Sequence, residues 1–216
     1  MFDDVTVIGA GRAGTAIAAR LRERGLAVRE EAELRLLCVP DRAIAEVARS
    51  IQPGPWVAHV SGGTPLAALD PHTRRFSVHP LQTLTKRRGP EQLDGAFAGV
   101  TAESAEALER ATWLAETLGL RPFVLADAKR AVYHAGAAIA SNFLVTLYRV
   151  ASSLTAEAGA PAGAVVPLMA RTIENGFELT GPIARGDWET VERHREALRD
   201  TGFAELYDTL AEATRA

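Results

Sequence analysis

The stretch "VTVIGAGRAGTAIAARLRERGLAVREEAELRLLCVP" constrains the fold of this chain more than any other. Val5 to Ile8 is a short apolar run of strand type, and Arg12 to Arg24 repeats apolar residues at three- and four-residue spacing. A strand therefore passes directly into a helix. Between them Gly9, Gly11 and Gly14 match G-x-G-x-x-G. In that context the first glycine allows the tight turn, the second lets a pyrophosphate approach the backbone, and the third lets helix and sheet pack closely. Helix-start N–H groups then face phosphate oxygens. Ala10, Arg12 and Ala13 complete the loop, and Arg12 adds a positive charge. The expected ligand is NADP or NAD; the simpler alternative is a glycine-rich turn that binds nothing.

The second half of the stretch limits that ligand. Glu30 follows Gly11 by about 20 residues, where a dinucleotide fold carries its ribose-binding acid. Yet the next buried run begins at Leu34, so the helix and strand that usually wall the adenine have no room. A sheet shortened on its adenine side is expected. It leaves two options: a dinucleotide with exposed adenine, or a phosphate-bearing fragment. Glu30 and Glu31 read equally as a ribose contact or as solvated loop charges.

Further apolar runs at Leu34–Val39, Trp56–Val60, Phe76–His79, Phe97–Thr101 and Pro122–Leu125 alternate with helical patterns at Asp41–Ile51 and Glu103–Leu118. That alternation predicts an α/β domain over residues 1–125, a Rossmann-like mostly parallel sheet with helices on both faces. After Ala126 the strand signals stop. Asp127–Ala158 reads as one long helix of roughly 45–50 Å. Pro161 opens another, with Pro167 as a candidate kink. "TGPIARGD" is a loop, Asp187 is placed to cap "WETVERHREALRD", and a last amphipathic helix starts near Phe203. Residues 126–216 are expected to form an all-α domain. A helix of that length outruns so small a domain, which points to a homodimer.

Composition narrows the partners. A net charge of -3 over 216 residues gives no broad attraction to nucleic acid or anionic membranes, and no uninterrupted apolar run approaches a bilayer span. The single cysteine, Cys38, lies within "LRLLCVP", reads as a buried structural thiol and suits a reducing cytoplasm. His59, His72, His79, His134 and His194 lack metal-ligand spacing, so no metal is expected.

Several stretches together carry a family resemblance: "VIGAGRAG", "VPDRAI", "HVSGGTPL", "FSVHPLQTLT", "AVYHAGAAIASNFL" and "LTGPIARGDWETVERH". The chain resembles a bacterial family with a Rossmann-like domain followed by a helical domain of unknown function, described as predicted NADP-dependent oxidoreductases. It is similar in architecture to pyrroline-5-carboxylate reductase and to β-hydroxyacid and 6-phosphogluconate dehydrogenases. The resemblance implies a helical second domain that commonly dimerises and an active site between the domains.

Ligands in such folds sit off the carboxyl ends of the strands. Three loops begin there: Pro40–Asp41, Ser61–Gly62–Gly63 and His79–Pro80–Leu81. Asp41 reads as a helix N-cap. Ser61 offers a hydroxyl to a nicotinamide or a substrate carboxylate, or forms a plain tight turn. His79 is the best acid–base candidate, because imidazole titrates near neutrality. "HPLQT" also resembles the His-Pro turn of prephenate dehydrogenases, whose histidine handles the substrate hydroxyl. On the long helix His134, Ala138 and Asn142 are spaced by four, with Ser141 beside them and Tyr133 a hydrogen-bond donor or a core aromatic. Hydroxyacid dehydrogenases of similar architecture place a catalytic lysine four residues before an asparagine. Ala138 holds that position here, and His134 reads either as a stand-in one turn earlier or as a packing histidine on a small-residue helix face. In "TGPIARGD" Thr180 offers a hydroxyl and Arg185 a guanidinium that could clamp a carboxylate, in this site or in a partner's; an ordinary surface loop with a helix cap reads equally well. The reading is an NAD(P)-dependent oxidoreductase of a small carbonyl, imine or hydroxy-acid metabolite. The alternative is a non-catalytic module that binds a nucleotide or metabolite.

Overall fold

The computed structural model describes residues 1–215 and divides into two compact units, Met1–Ser141 and the residues from Asn142 onward. The first contains a seven-stranded sheet in the order β2-β1-β3-β4-β5-β6-β7. Its strands are β1 (Asp4–Ile8), β2 (Ala27–Val28), β3 (Leu34–Leu37), β4 (Trp56–His59), β5 (Arg75–Pro80), β6 (Phe97–Ala102) and β7 (Arg121–Val124). All neighbours run parallel except β5 and β6. Three helices accompany them: α1 (Arg12–Glu23), α2 (Asp41–Ser50) and α3 (Ala105–Thr117).

The two-residue pleat sorts side chains between faces. Val5, Leu34, Leu36, Trp56, Ala58, Phe76 and Val78 share one core with Ile17 and Leu21 of α1 and Ala111 and Leu114 of α3. Leu37 and Val57 point the other way, onto Ile44 and Ala48 of α2 and the 3-10 turn Leu66–Leu69. By the same alternation Thr6, Arg35, His59, Ser77 and His79 belong to this second face. A face that mixes apolar and polar residues in this way is half core and half site.

The adenine side is short, as the sequence predicts. β2 has two residues and lies at the sheet edge. In place of a covering helix, the Arg35 guanidinium donates to Thr6 Oγ1 (2.6 Å) and to the Glu30 carbonyl (2.6 Å). Those bonds hold the returning loop against β1. The Glu30 and Glu31 side chains are exposed.

The expected long helix is helical throughout but not uniform. It consists of a 3-10 turn (Asp127–Lys129), α4 (Arg130–Ala138), a π turn (Ile139–Phe143) and α5 (Leu144–Glu157). The first compact unit ends inside the π turn instead of at residue 125, because Asp127, Arg130 and Tyr133 bond to groups of the sheet unit. The 31-residue stretch Asp127–Glu157 holds an 18-residue window of mean hydropathy 1.2, apolar enough by length and composition to cross a membrane.

In the second unit α5 is followed by α6 (Val165–Glu174), α7 (Trp188–Leu198) and α8 (Ala204–Arg215). Pro167 sits in the first turn of α6, where its missing N–H breaks no helical bond. Asp187 caps α7 as expected, accepting from the Thr190 N–H at 3.1 Å. His194 Nδ1 to Tyr207 Oη (2.8 Å) and Arg195 to Asp208 (2.7 Å) tie α7 to α8. Much apolar surface stays open in this unit, including Phe143 at 57%, Leu168 at 68% and Phe177 at 72% exposure.

Candidate active site

The glycine loop leaves β1 and enters α1 with each glycine fixed by a different constraint. Gly9 has φ +116°, and a side chain there would place Cβ 2.5 Å from the Cys38 carbonyl oxygen. A Cβ on Gly14 would collide with the Gly9 carbonyl. Both are needed to pack the turn against the neighbouring strand. Gly11, by contrast, has ordinary extended geometry, and a Cβ there would meet nothing within 4 Å. It is open space beside the loop, not packing, that Gly11 preserves. It is also the N-cap of α1, where no side chain caps the first-turn N–H groups and no acidic residue lies in that turn. The exposed Ala10 and Arg12 flank it.

Parallel pairing puts the carboxyl ends of β1, β3, β4 and β5 side by side, so the glycine loop, Pro40, Ser61–Gly63 and His79 open on one edge. Pro40, not Asp41, is the N-cap of α2; Asp41 is its first residue and its carboxylate makes no capping bond. The Ser61 hydroxyl is committed to its own turn. It donates to Thr64 Oγ1 (2.8 Å), accepts from the Thr64 N–H (3.0 Å) and is buried, so it is not turned towards a ligand.

His79 is the centre of the polar group on this edge. Its Nδ1 lies 2.7 Å from the Tyr133 hydroxyl, and its ring meets those of Tyr133 and His134 edge-on at 5.4 and 6.0 Å. Gly62 and Gly63 make room for the two imidazoles. A Cβ on Gly62 would lie 2.7 Å from His79 Cε1, and one on Gly63 would lie 2.9 Å from His134 Nδ1. Burial pushes the His79 pKa down to about 4, helped by His134 and Arg130, while the Asp41 carboxylate opposes the shift. Burial also raises the Tyr133 hydroxyl above its ordinary value. Both groups are therefore neutral near pH 7. When the tyrosine donates, His79 keeps its hydrogen on Nε2.

Arg130 is the residue that sequence reading missed. At 2% exposure it donates from Nε to Asp127 (2.7 Å), from one terminal nitrogen to the Ser61 carbonyl (3.0 Å), and from the other to Ser77 Oγ. Asp127 in turn accepts from the Leu66 N–H at 3.1 Å. The turn after β4 is thus pinned between the sheet and α4. Beneath it His59 is fully buried, with Nδ1 accepting from the Ser61 N–H (3.2 Å). Burial, then the Arg130 charge, pushes its pKa down to about 3.

Of the residues singled out by sequence, His79, Tyr133, His134 and the glycine loop stand in the first unit. Ser141 ends that unit with its hydroxyl donating to the Ala137 carbonyl (2.8 Å). Asn142 begins the second, and the π turn replaces the even spacing read between His134 and Asn142. Thr180 and Arg185 are exposed residues of the second unit. Among the described residues no group of three or more His, Cys, Asp or Glu could hold a metal ion.

Solved structures share this fold along nearly the whole chain. A candidate NADP oxidoreductase from Bacteroides fragilis superposes with TM-score 0.82 at 23% identity, covering 99% of this chain and 98% of its own. Protein TM1727 from Thermotoga maritima gives 0.80 at 24% identity, covering 98% and 96%. The 1-pyrroline-5-carboxylate reductase of Streptococcus pyogenes gives 0.65 at 12%, again covering 98% and 96%. No curated protein sequence matches the chain. Residues 96–214 match the model of a domain of unknown function, DUF2520, and the chain belongs to that family.

Proposed function

We propose that the protein is an NAD(P)-dependent oxidoreductase acting on a small carbonyl, imine or hydroxy-acid metabolite. The observation that carries this is the His79–Tyr133 hydrogen bond, held by Gly62 at the strand edge that also bears the glycine loop. The open space at Gly11 and the uncapped start of α1 fit a pyrophosphate. Gly9, Gly11 and Gly14 with Arg12 would hold that part of NADP or NAD. When bound, the nicotinamide supplies the hydride exchange with the substrate carbon.

The chain's own residues manage the proton. Neutral His79, with its hydrogen on Nδ1 and donated to the Tyr133 hydroxyl, takes a proton from the substrate heteroatom at Nε2 in the oxidising direction, and the imidazolium so formed gives that proton back in the reducing direction. His134 extends the polar edge towards the substrate. The apolar surface around Phe143, Leu168 and Phe177 supports a homodimer, and the buried, reduced Cys38 suits a cytoplasmic protein.

The two-residue β2 favours a second reading, a non-catalytic module for a nucleotide fragment. Titration calorimetry separates the two readings. NADPH or NADH binding at micromolar levels, lost in Gly11→Ala while the melting temperature holds, supports the oxidoreductase. Binding of ADP-ribose without either intact dinucleotide supports the module, and no binding of any of the three sinks both.

A further inference from the structure

The segment "TLTKRRGPEQL" between β5 and β6 places three consecutive cations on a chain whose overall charge is negative. It is not a loose basic tail. Gln92, 5% exposed, folds it into an arch. The Gln92 carbonyl accepts from the Thr85 N–H (2.7 Å) and the Thr85 hydroxyl (3.3 Å). Its amide donates to the carbonyls of Thr85 (3.1 Å), Arg88 (2.9 Å) and Gly89 (2.8 Å). A buried amide bonded at so many points of one loop is a rigid template, because those bonds are lost together if the arch opens.

The arch is also fastened to α1. Arg20, itself buried, donates to the Pro90 carbonyl (2.8 Å) and pairs with Asp94 (2.8 Å). The result sets Arg12, Thr15, Lys86 and Arg88 around one small cavity beside the glycine loop, with no carboxylate side chain in its lining. Glu91, within the arch itself, is divided between Arg88 Nε (3.6 Å) and the Gly89 N–H (3.1 Å). Like charges held together by a rigid backbone repel one another unless an anion sits among them.

We infer that this arch is the cationic side of a diphosphate site, facing the nucleotide phosphates that the glycine loop holds from the other side. The inference rests on the nucleotide reading above and extends it. Phosphate recognition here uses Lys86 and Arg88 from a loop some 70 residues beyond the glycine motif, in addition to Arg12. It also offsets the missing adenine wall, since affinity that adenine contacts would give is supplied by charge at the diphosphate.

The test is calorimetric titration of the full chain and of the variant Lys86→Gln/Arg88→Gln with ADP-ribose and with inorganic pyrophosphate, each at low and at physiological salt. Both side chains are exposed, and Gln92 still holds the backbone, so the variant should melt as the parent does. The expected result is about ten-fold weaker binding of both ligands and a shallower salt dependence in the variant. Arg22→Gln/Arg24→Gln, at the far end of α1, should bind as the parent. Equal affinity in parent and arch variant overturns the arch and leaves the nucleotide reading standing. Pyrophosphate binding without ADP-ribose binding does the reverse, and failure of the parent to bind either ligand removes both.

Discussion

Gly62→Ala offers a test of the site that needs no substrate. Gly62 is buried and its φ lies outside the left-handed region, so its backbone accepts alanine without strain. The obstacle is the His79 ring. The new methyl would sit 2.7, 2.8 and 3.0 Å from Cε1, Nε2 and Nδ1. Ordinary carbon contact begins at about 3.5 Å, so the ring must give way by ~0.8 Å. The Nδ1–Tyr133 bond, now 2.7 Å, then stretches to the limit of hydrogen bonding. Overpacking together with that bond costs about 2 kcal/mol. In a His79→Ala background the methyl enters vacated space, and the same substitution should cost under about 0.5 kcal/mol. Urea unfolding of the four proteins measures the difference as a coupling of about 1.5 kcal/mol. An equal cost of Gly62→Ala in both backgrounds would refute the assignment of Gly62 as the seat of His79.

Other predictions concern the buried groups beneath that site. Folded-state pKa values of about 3 for His59 and about 4 for His79 lie below the ordinary 6.5, so the unfolded chain takes up protons first as pH falls. Their contribution to stability is complete above about pH 6.5 and is lost progressively down to about pH 3, at up to ~1.4 kcal/mol per pH unit per group. His59→Gln should flatten the fall in urea-unfolding stability between pH 7 and 5, and an unchanged slope would exclude His59 as its source. Arg130→Met leaves Asp127 and the Ser61 carbonyl without their partner and should destabilise by about 3 kcal/mol in thermal melts. Arg130→Lys should recover only part of this, since one ammonium cannot replace a three-way fork; full recovery would show that charge alone matters. Burial pushes the Cys38 thiol up to about 12, so a thiol reagent at pH 8 should label the protein only in urea; rapid labelling of the folded protein would contradict its burial.

The alternation of strands and helices was legible because each element carries its own period: Val5–Ile8, Trp56–Val60 and Glu103–Leu118 all form close to where their patterns predict. The shortened edge was legible too, from the distance between Gly11 and Leu34. Direction was not. β6 runs antiparallel to β5, and nothing in Phe97–Thr101 distinguishes an antiparallel strand from a parallel one. Arg130 was invisible for a different reason. In "DAKRAVYH" it reads as one more solvated charge, because the partners that bury it, Ser61 and Ser77, become its neighbours only once β4 and β5 pair. His79 could be picked out by residue type alone, but its bond to Tyr133 joins residues more than 50 positions apart and required the fold. Ser61 shows the opposite error, a hydroxyl that looked available and is consumed by its own turn.

The strand order has a consequence for synthesis. Apart from the exchange of β1 and β2 at one edge, the sheet reads across in the order in which the chain leaves the ribosome. β3 docks on β1, and from β4 onward each new strand docks on the one made just before it, with partners such as Val5 and Leu34, or Val57 and Arg75, fewer than about 30 residues apart. Parallel sheets ordinarily leave an edge waiting for a strand encoded much later. From β3 onward the growing edge is the newest strand, so the glycine loop is walled by β3 before His79 has been translated. The nascent chain thus completes the glycine loop before it gains the His79–Tyr133 pair.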